Sequence, residues 1–223
     1  MEGFKLYSVS DEYVEWLRND FPNVYSNKIN SRTHTRKYLG VVFQIGQYNY
    51  YIPMSSPKDS DFQIAGANKV IKKSIVPIIR IVVKNSSGEK ELKGTLRISH
   101  MIPVPTSELE LYDMENECDS TYKDLVQNEM IFIRKNREKI VANAKLLYKQ
   151  KAAKNTTAGY VKSALNYKAL EMLCDSFKEY KEKDSGLLQI CDSPFLHFRL
   201  MHFGLTNALC GAILLTSSKQ KRL

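Results

Sequence analysis

Residues 48–58 read YNYYIPMSSPK, and the pairing of this stretch decides the fold. Tyr48, Tyr50, Ile52 and Met54 recur at every second position, the period of a strand with one buried face. The strand runs straight into Ser55, Ser56, Pro57 and Lys58. Two hydroxyls can donate hydrogen bonds, Lys58 brings a compact positive charge, and Pro57 restricts the backbone between them, a combination suited to holding a phosphate. The same four residues also make an ordinary solvated turn, so the neighbouring segments must separate the two readings.

Upstream, Leu39, Val41, Phe43 and Ile45 alternate in the same way. Gly46-Gln47 between the two alternating runs reads as a two-residue type II′ turn, because Gly accepts the positive φ of its first central position. Such a hairpin sets the residues before Leu39 beside those after Met54. Arg36 and Lys37 are therefore expected next to Ser55, Ser56 and Lys58, three cations and two hydroxyls at one sheet edge.

The flanking sequence extends this sheet. Phe4, Leu6 and Val9 predict a short strand. Ser10 then caps a helix over 11–20, with Asp11 and Glu12 in its first turn, Tyr13, Trp16 and Leu17 on one face, and Pro22 beyond its end. The polar loop PNVYSNKINSRTHTR, residues 22–36, carries Tyr25, Lys28, Arg32, His34 and Arg36. It reads either as a grip on a phosphate backbone or as a solvated loop. Lys69, Lys72 and Lys73 lie in a polar connection, residues 59–73. Ile75 to Val83 predicts a strand that Pro77 assigns to an edge or bulge, and Leu92 to Met101 predicts its partner. Short antiparallel strands with tight turns and no βαβ alternation give an α+β class with a compact, curved, barrel-like sheet.

The second half is helical. Val126, Met130, Ile133, Ile140, Ala144 and Leu147 follow 3- and 4-residue spacings, predicting one long helix over 120–150 with Arg137 as a break in the seam and Arg134, Lys135 and Lys139 on the opposite face. Such a basic face is either solvated or a wall for nucleic acid. A further helix from Asn166 to about Lys183 is capped by Asn166. Residues 1–183 are expected to form the working domain and 184–223 a C-terminal extension. Leu200 to Leu215, interrupted by His202, Thr206 and Asn207, is short and polar for the ~20 apolar residues of a membrane span.

Composition narrows the partners. Lys and Arg number 33 against 24 Asp and Glu, a formal charge of +9, which points to a polyanion: nucleic acid first, an anionic membrane surface second. Cys118, Cys174, Cys191 and Cys210 form no CxxC pair, an argument against a zinc site or a disulfide framework and for a reducing, cytoplasmic location. The opening MEGFKLYSVSDEY has no long apolar run of the secretory kind. HExxH, P-loop, GxSxG and GxGxxG patterns are missing, so no metal or cofactor is expected. The chemistry left to Lys, Arg, Ser and Tyr is orientation and charge stabilisation at an RNA phosphodiester, with the substrate's own 2′-hydroxyl as nucleophile.

The segments KLYSVSDEYVEWL, RKYLGVVFQI, YNYYIPMSSPK, ISHMIPVP and YKDLVQNEMIFIRKNREKI together resemble the ToxN/AbiQ family of type III toxin–antitoxin endoribonucleases, over about residues 4 to 180. The resemblance implies a curved antiparallel sheet related to the Kid/MazF toxins, decorated with helices. It implies sequence-selective, metal-independent RNA cleavage leaving a 2′,3′-cyclic phosphate. It also implies inhibition by an antitoxin RNA of tandem pseudoknot repeats, in a closed assembly where toxins and RNAs alternate, with a role in phage defence. The family's active-site serine falls on Ser56, the hydroxyl before it on Ser55, the following lysine on Lys58 and the basic residue before the second strand on Lys37. One position departs: where a relative has tyrosine four places before that lysine, this chain has Thr33, leaving Tyr7 and Tyr25 as candidates for its role. Lysine's ordinary pKa of about 10.4 suits Lys37 and Lys58 to charge stabilisation. A non-catalytic RNA- or DNA-binding regulator is the competing reading of the same basic edge.

Overall fold

The computed structural model describes residues 3–27, 34–153 and 157–191, with side chains described up to residue 184. The chain divides into two compact units, residues 1–177 and 178–223, and the sheet and cleft belong to the first. The first strand, β1 (Lys5–Val9), leads into α1 (Asp11–Asp20). Ser10 caps that helix through its hydroxyl, which accepts from the Tyr13 N–H at 3.2 Å. The hairpin follows as β2 (Tyr38–Ile45) and β3 (Tyr48–Ser55), joined through Gly46 at φ 55°. A separate small hairpin, β4 (Phe62–Ala65) and β5 (Asn68–Ile71), precedes β6 (Ile78–Lys84) and β7 (Lys90–Arg97). Two short strands, β8 (Ile102–Pro103) and β9 (Leu109–Leu111), complete the sheet.

The main sheet is antiparallel, in the order β6-β7-β3-β2-β1-β9, with β8 against β3. The class is α+β, as the strand pattern predicts, and among the described residues the sheet is not closed. β6 lies at its edge and carries an irregularity between Ile81 and Val82, in keeping with the proline just before it. The hub is β3. One edge pairs with β2; on the other, Tyr50 and Tyr51 pair with β8, and Met54 and Ser55 with β7.

The hairpin departs from simple alternation. Tyr38 faces Pro53 and Leu39 faces Ile52, but the register then shifts so that Phe43 faces Tyr50. Val41 is consequently exposed and Val42 buried, the reverse of the expected faces. Gly40 lies at this irregularity, where a Cβ would come within 2.1 Å of the Tyr51 ring, so glycine leaves the room that ring needs. β3 is buried on both faces from Tyr50 to Ser55.

The expected single helix is two: α2 (Ser120–Lys135) and α3 (Arg137–Ala152). Asn136 separates them. Its side-chain amide donates to the Phe132 carbonyl at 2.8 Å, the local competition with the helical ladder that makes Asn a helix ender. The break lets α2 pack on β6 and β7 while α3 packs on β2. A one-turn helix, α4 (Gly159–Lys162), leads to α5 (Tyr167–Cys191), and the Asn166 side chain accepts from the Ala169 N–H at 3.3 Å as the predicted cap.

Glu171 ties α5 to this assembly. Its carboxylate, 4% exposed, accepts from the hydroxyls of Tyr50 at 2.8 Å and Tyr148 at 2.7 Å, and pairs with Lys168 at 2.8 Å. Replacing Glu171 with Ala withdraws the acceptor from two buried hydroxyls, and should lower the unfolding free energy by about 2–4 kcal/mol in denaturant titration. Lys168→Ala, which removes an exposed partner, should cost less than about 1 kcal/mol.

Candidate active site

The Ser-Ser-Pro-Lys segment leaves the sheet where β3 changes partner. Ser55 still pairs with Thr95 of β7 and is 7% exposed, whereas Ser56 and Lys58 are exposed. Asp61 holds the segment from below. Its fully buried carboxylate accepts from the Lys58 backbone N–H at 3.1 Å and pairs with Arg80 at 3.1 Å and Arg97 at 3.0 Å. Two guanidinium groups and a backbone N–H thus compensate one buried charge, and fasten the loop to β6 and β7.

Arg36 and Lys37 arrive beside this loop, as the hairpin predicts, but they diverge. The Arg36 guanidinium donates to the Met54 carbonyl at 2.8 Å and to the Ser55 hydroxyl at 3.1 Å, and lies 4.7 Å from the centre of the Tyr25 ring. Tyr25 in turn stacks on His100 at 4.3 Å, with the Lys58 ammonium 5.8 Å from its ring. Lys37 instead donates to the hydroxyls of Ser8 at 3.2 Å and Thr35 at 3.3 Å, and lies 4.5 Å from the Tyr112 ring centre. Successive side chains of an extended segment point to opposite sides, which sends the two cations apart. Burial pulls the Lys37 ammonium below its ordinary pKa, while Glu110 and Glu117 oppose that shift. Burial, reinforced by Arg97, Arg36 and Lys58, pulls His100 down to about 4, so at neutral pH it is an uncharged member of a cationic cluster.

A cleft of about 310 Å³ opens beside Arg36, Lys37, Ser55 and Ser56, and Lys58 is not among the residues lining it. His34, Thr35, Arg36, Lys37, Ser55 and Ser56 line it, together with Lys93 of β7 and Tyr122, Val126 and Glu129 of α2. His34 stacks on Tyr122 with ring centres 3.8 Å apart, and its Nε2 lies 3.3 Å from an Asp119 oxygen. Burial pushes the Glu129 carboxyl up to about 8. Tyr122, Glu129, Lys93, His100 and Asp61 lie beyond the residues that the sequence marks for this site. The available signal lay on α2: Tyr122, Val126 and Glu129 follow i, i+4, i+7 spacing, so an acid sits on the apolar seam.

The other expected contacts are scattered. Tyr7 is half-buried and packs edge-on against Tyr51 at 5.5 Å. Lys69 bonds to Asp59 at 2.8 Å and lies over Phe62, and Lys72 donates to the Ser60 carbonyl at 2.9 Å. Lys73 is exposed, and its carbonyl accepts from Arg80. Arg134, Lys135 and Lys139 are exposed around the α2–α3 junction and are not among the residues lining the cleft. Lys28 and Arg32, like Thr33 and the stretch from Leu200 to Leu215, lie outside the described residues. Cys118 and Cys174 form no disulfide. Among the described residues no helix is long and apolar enough to cross a membrane.

Hydroxyls and cations at the edge of an antiparallel sheet, roofed by a helix, define an α+β protein whose cleft is lined by both. The family model described as toxin ToxN of type III toxin–antitoxin systems matches residues 5–175, and the chain belongs to that family. It is 25% identical over 191 residues to the endoribonuclease ToxN of Bacillus thuringiensis subsp. kurstaki, covering 82% of this chain and 87% of the relative. It is 29% identical over 168 residues to the endoribonuclease AbiQ of Lactococcus lactis subsp. lactis, covering 75% and 85%. Two solved structures share the fold. One, a type III toxin described as selectively inhibited by a non-coding RNA pseudoknot, aligns with TM-score 0.64 and 22% identity over 80% of this chain and 99% of its own. The other, AbiQ, described as a lactococcal anti-phage endoribonuclease, aligns with TM-score 0.63 and 24% identity over the same shares.

Two stability measurements check this geometry. Asp61→Ala leaves Arg80 and Arg97 without their common partner, and should destabilise the protein by about 3–5 kcal/mol. Increased hydrogen exchange at the Lys58 amide should accompany the loss. For Glu129 the folded state keeps a proton that the unfolded chain releases near its ordinary value of about 4.3. Stability from this group is therefore highest below that pH, declines as pH rises to about 8 and is level above. Glu129→Gln has no proton to lose. Its unfolding free energy, from denaturant titration, should match wild type at pH 4 and exceed it at pH 8.5 by on the order of a few kcal/mol.

Proposed function

We propose that this chain is an endoribonuclease toxin of a type III toxin–antitoxin system, cutting RNA without a metal ion. The 2′-oxygen of the substrate attacks the adjacent phosphorus as its proton departs. The bond to the 5′-oxygen breaks, that oxygen takes up a proton, and a 2′,3′-cyclic phosphate remains. The observation that carries this reading is the Arg36–Ser55 contact beside exposed Ser56, in a cleft wide enough for a nucleotide phosphate, with exposed Lys58 two residues along the same loop. Arg36 and Lys58 supply positive charge to the non-bridging oxygens, and Lys37, which also lines the cleft, adds to the field. Ser55 is held as part of the scaffold by Arg36, and Ser56 orients the phosphate or the 2′-hydroxyl. Relatives named endoribonucleases ToxN and AbiQ support the reaction class.

In the same reading the inhibitor is an antitoxin RNA of tandem pseudoknot repeats, bridging toxin copies into a closed assembly, and phage infection is the setting in which the cytoplasmic toxin acts. The likeness to a toxin inhibited by an RNA pseudoknot supports this partner. Residues 1–183 carry the activity, with 184–223 an extension to it.

Purified protein incubated with RNA in excess EDTA should produce fragments ending in cyclic phosphate. Ser56→Ala should still bind RNA and cut at least about 100-fold more slowly. Binding without cutting by the wild-type protein would instead identify a regulator, and fragments without cyclic ends would defeat the proposed chemistry.

A further inference from the structure

Glu129 has no part in the reaction above, although its side chain lines the same cleft. It is 8% exposed, and among the described residues it makes no hydrogen bond or ion pair. The carboxyl is closely seated. A Cβ on Gly94 would lie 2.2 Å from its Oε1 and 3.4 Å from the Ser55 carbonyl oxygen, so the acid occupies space that only glycine leaves on β7, beside the end of β3.

The charged groups around it make their contacts with other residues. Ahead of β2, Arg36 bonds to Ser55 and Met54, and Lys37 to Ser8 and Thr35. Lys93 of β7 pairs with Glu91 at 2.7 Å, and Arg80 of β6 pairs with Asp61. His34 lies against Asp119 and Tyr122, and Arg137 of α3 lies over Phe4. An ionised Glu129 would therefore be a poorly hydrated anion with no cation bonded to it, in a cleft whose other features suit a phosphate. Its repulsion of the ligand would oppose the work of Arg36 and Lys58.

We propose that Glu129 serves the cleft as a neutral carboxylic acid, donating its hydroxyl proton in a hydrogen bond to an oxygen of the bound phosphodiester. The proposal rests on the reading that the cleft takes an RNA backbone. A protonated carboxyl is a donor, and one kept neutral by burial can work at physiological pH. The upward displacement of this group agrees with that protonation state. Raising the pH through that range converts a donor into a like charge, so ligand affinity falls. A bound phosphate also favours the protonated form, so binding takes up a proton on the alkaline side.

The test uses the full chain and a 2′-fluoro RNA oligonucleotide, which has no attacking hydroxyl, with affinity measured by fluorescence anisotropy between pH 6 and 9. Wild-type affinity should drop about tenfold or more across pH 8. Glu129→Gln, whose amide is a weaker donor, should bind a few-fold less tightly at pH 6.5 and lose the alkaline drop. Gly94→Ala, which pushes the carboxyl from its seat, should weaken binding at pH 6.5, with circular dichroism confirming the fold of both variants. Affinity indifferent to pH in the wild type, no binding at any pH, or an alkaline drop that persists in Glu129→Gln would overturn the proposal. Cleavage of natural RNA in EDTA is scored separately. Loss of cutting with a normal pH response of binding defeats only the nuclease reading, whereas normal cutting with pH-indifferent affinity defeats only the role of Glu129.

Discussion

The structure depends on β3 being hydrogen-bonded along both edges while changing partner on one of them. β8 covers that edge at Tyr50 and Tyr51, and β7 takes it over at Met54 and Ser55. A strand with neighbours on both sides, buried on both faces, has little freedom in register, because any slip would move large side chains onto the wrong face. The point at which it leaves the sheet is therefore fixed. Ser55 is the last residue under that control and Ser56 the first outside it, which is how a rigid scaffold presents an exposed hydroxyl at a defined place.

Charge is managed by the same economy of position. A basic chain could crowd its cations by mutual repulsion, yet each cation near the cleft has a local compensation. Asp61 neutralises Arg80 and Arg97 beneath the loop, Tyr25 offers its ring face to Arg36, and Tyr112 offers its own to Lys37. Aromatic faces attract cations without cancelling their charge, so these contacts leave Arg36 and Lys37 as cations. The buried acid at Asp61 is set where it organises the loop, and the aromatic faces are set beside cations that line the cleft.

Local signals in the sequence made much of this readable. Gly46-Gln47, the Ser10 and Asn166 caps and the period-2 runs depend on nearest neighbours, and they specified the hairpin and two helix starts. What escaped depended on tertiary contact. Val41 looks like a core residue until the register shift beside Gly40 turns it outward, and nothing within 38–45 announces that Tyr51 needs that space. Arg36 and Lys37 look interchangeable as adjacent cations, but only the folded edge decides which one meets Ser55. Asp61 reads as one more polar loop residue, since its two arginines are distant in sequence.

Asn136 shows how a small local choice reaches the site. A seam of apolar residues across positions 126–147 suggests one rod, and a rod would have to follow a single line over a curved sheet. Interrupting it after Lys135 frees α2 to lie on β6 and β7 while α3 follows β2. Only in that orientation do Tyr122, Val126 and Glu129 form a wall facing Ser55, Ser56 and Arg36. The cleft is therefore made as much by the helix break as by the hairpin: β3 supplies the floor, and the turn at Asn136 sets the angle of the wall above it.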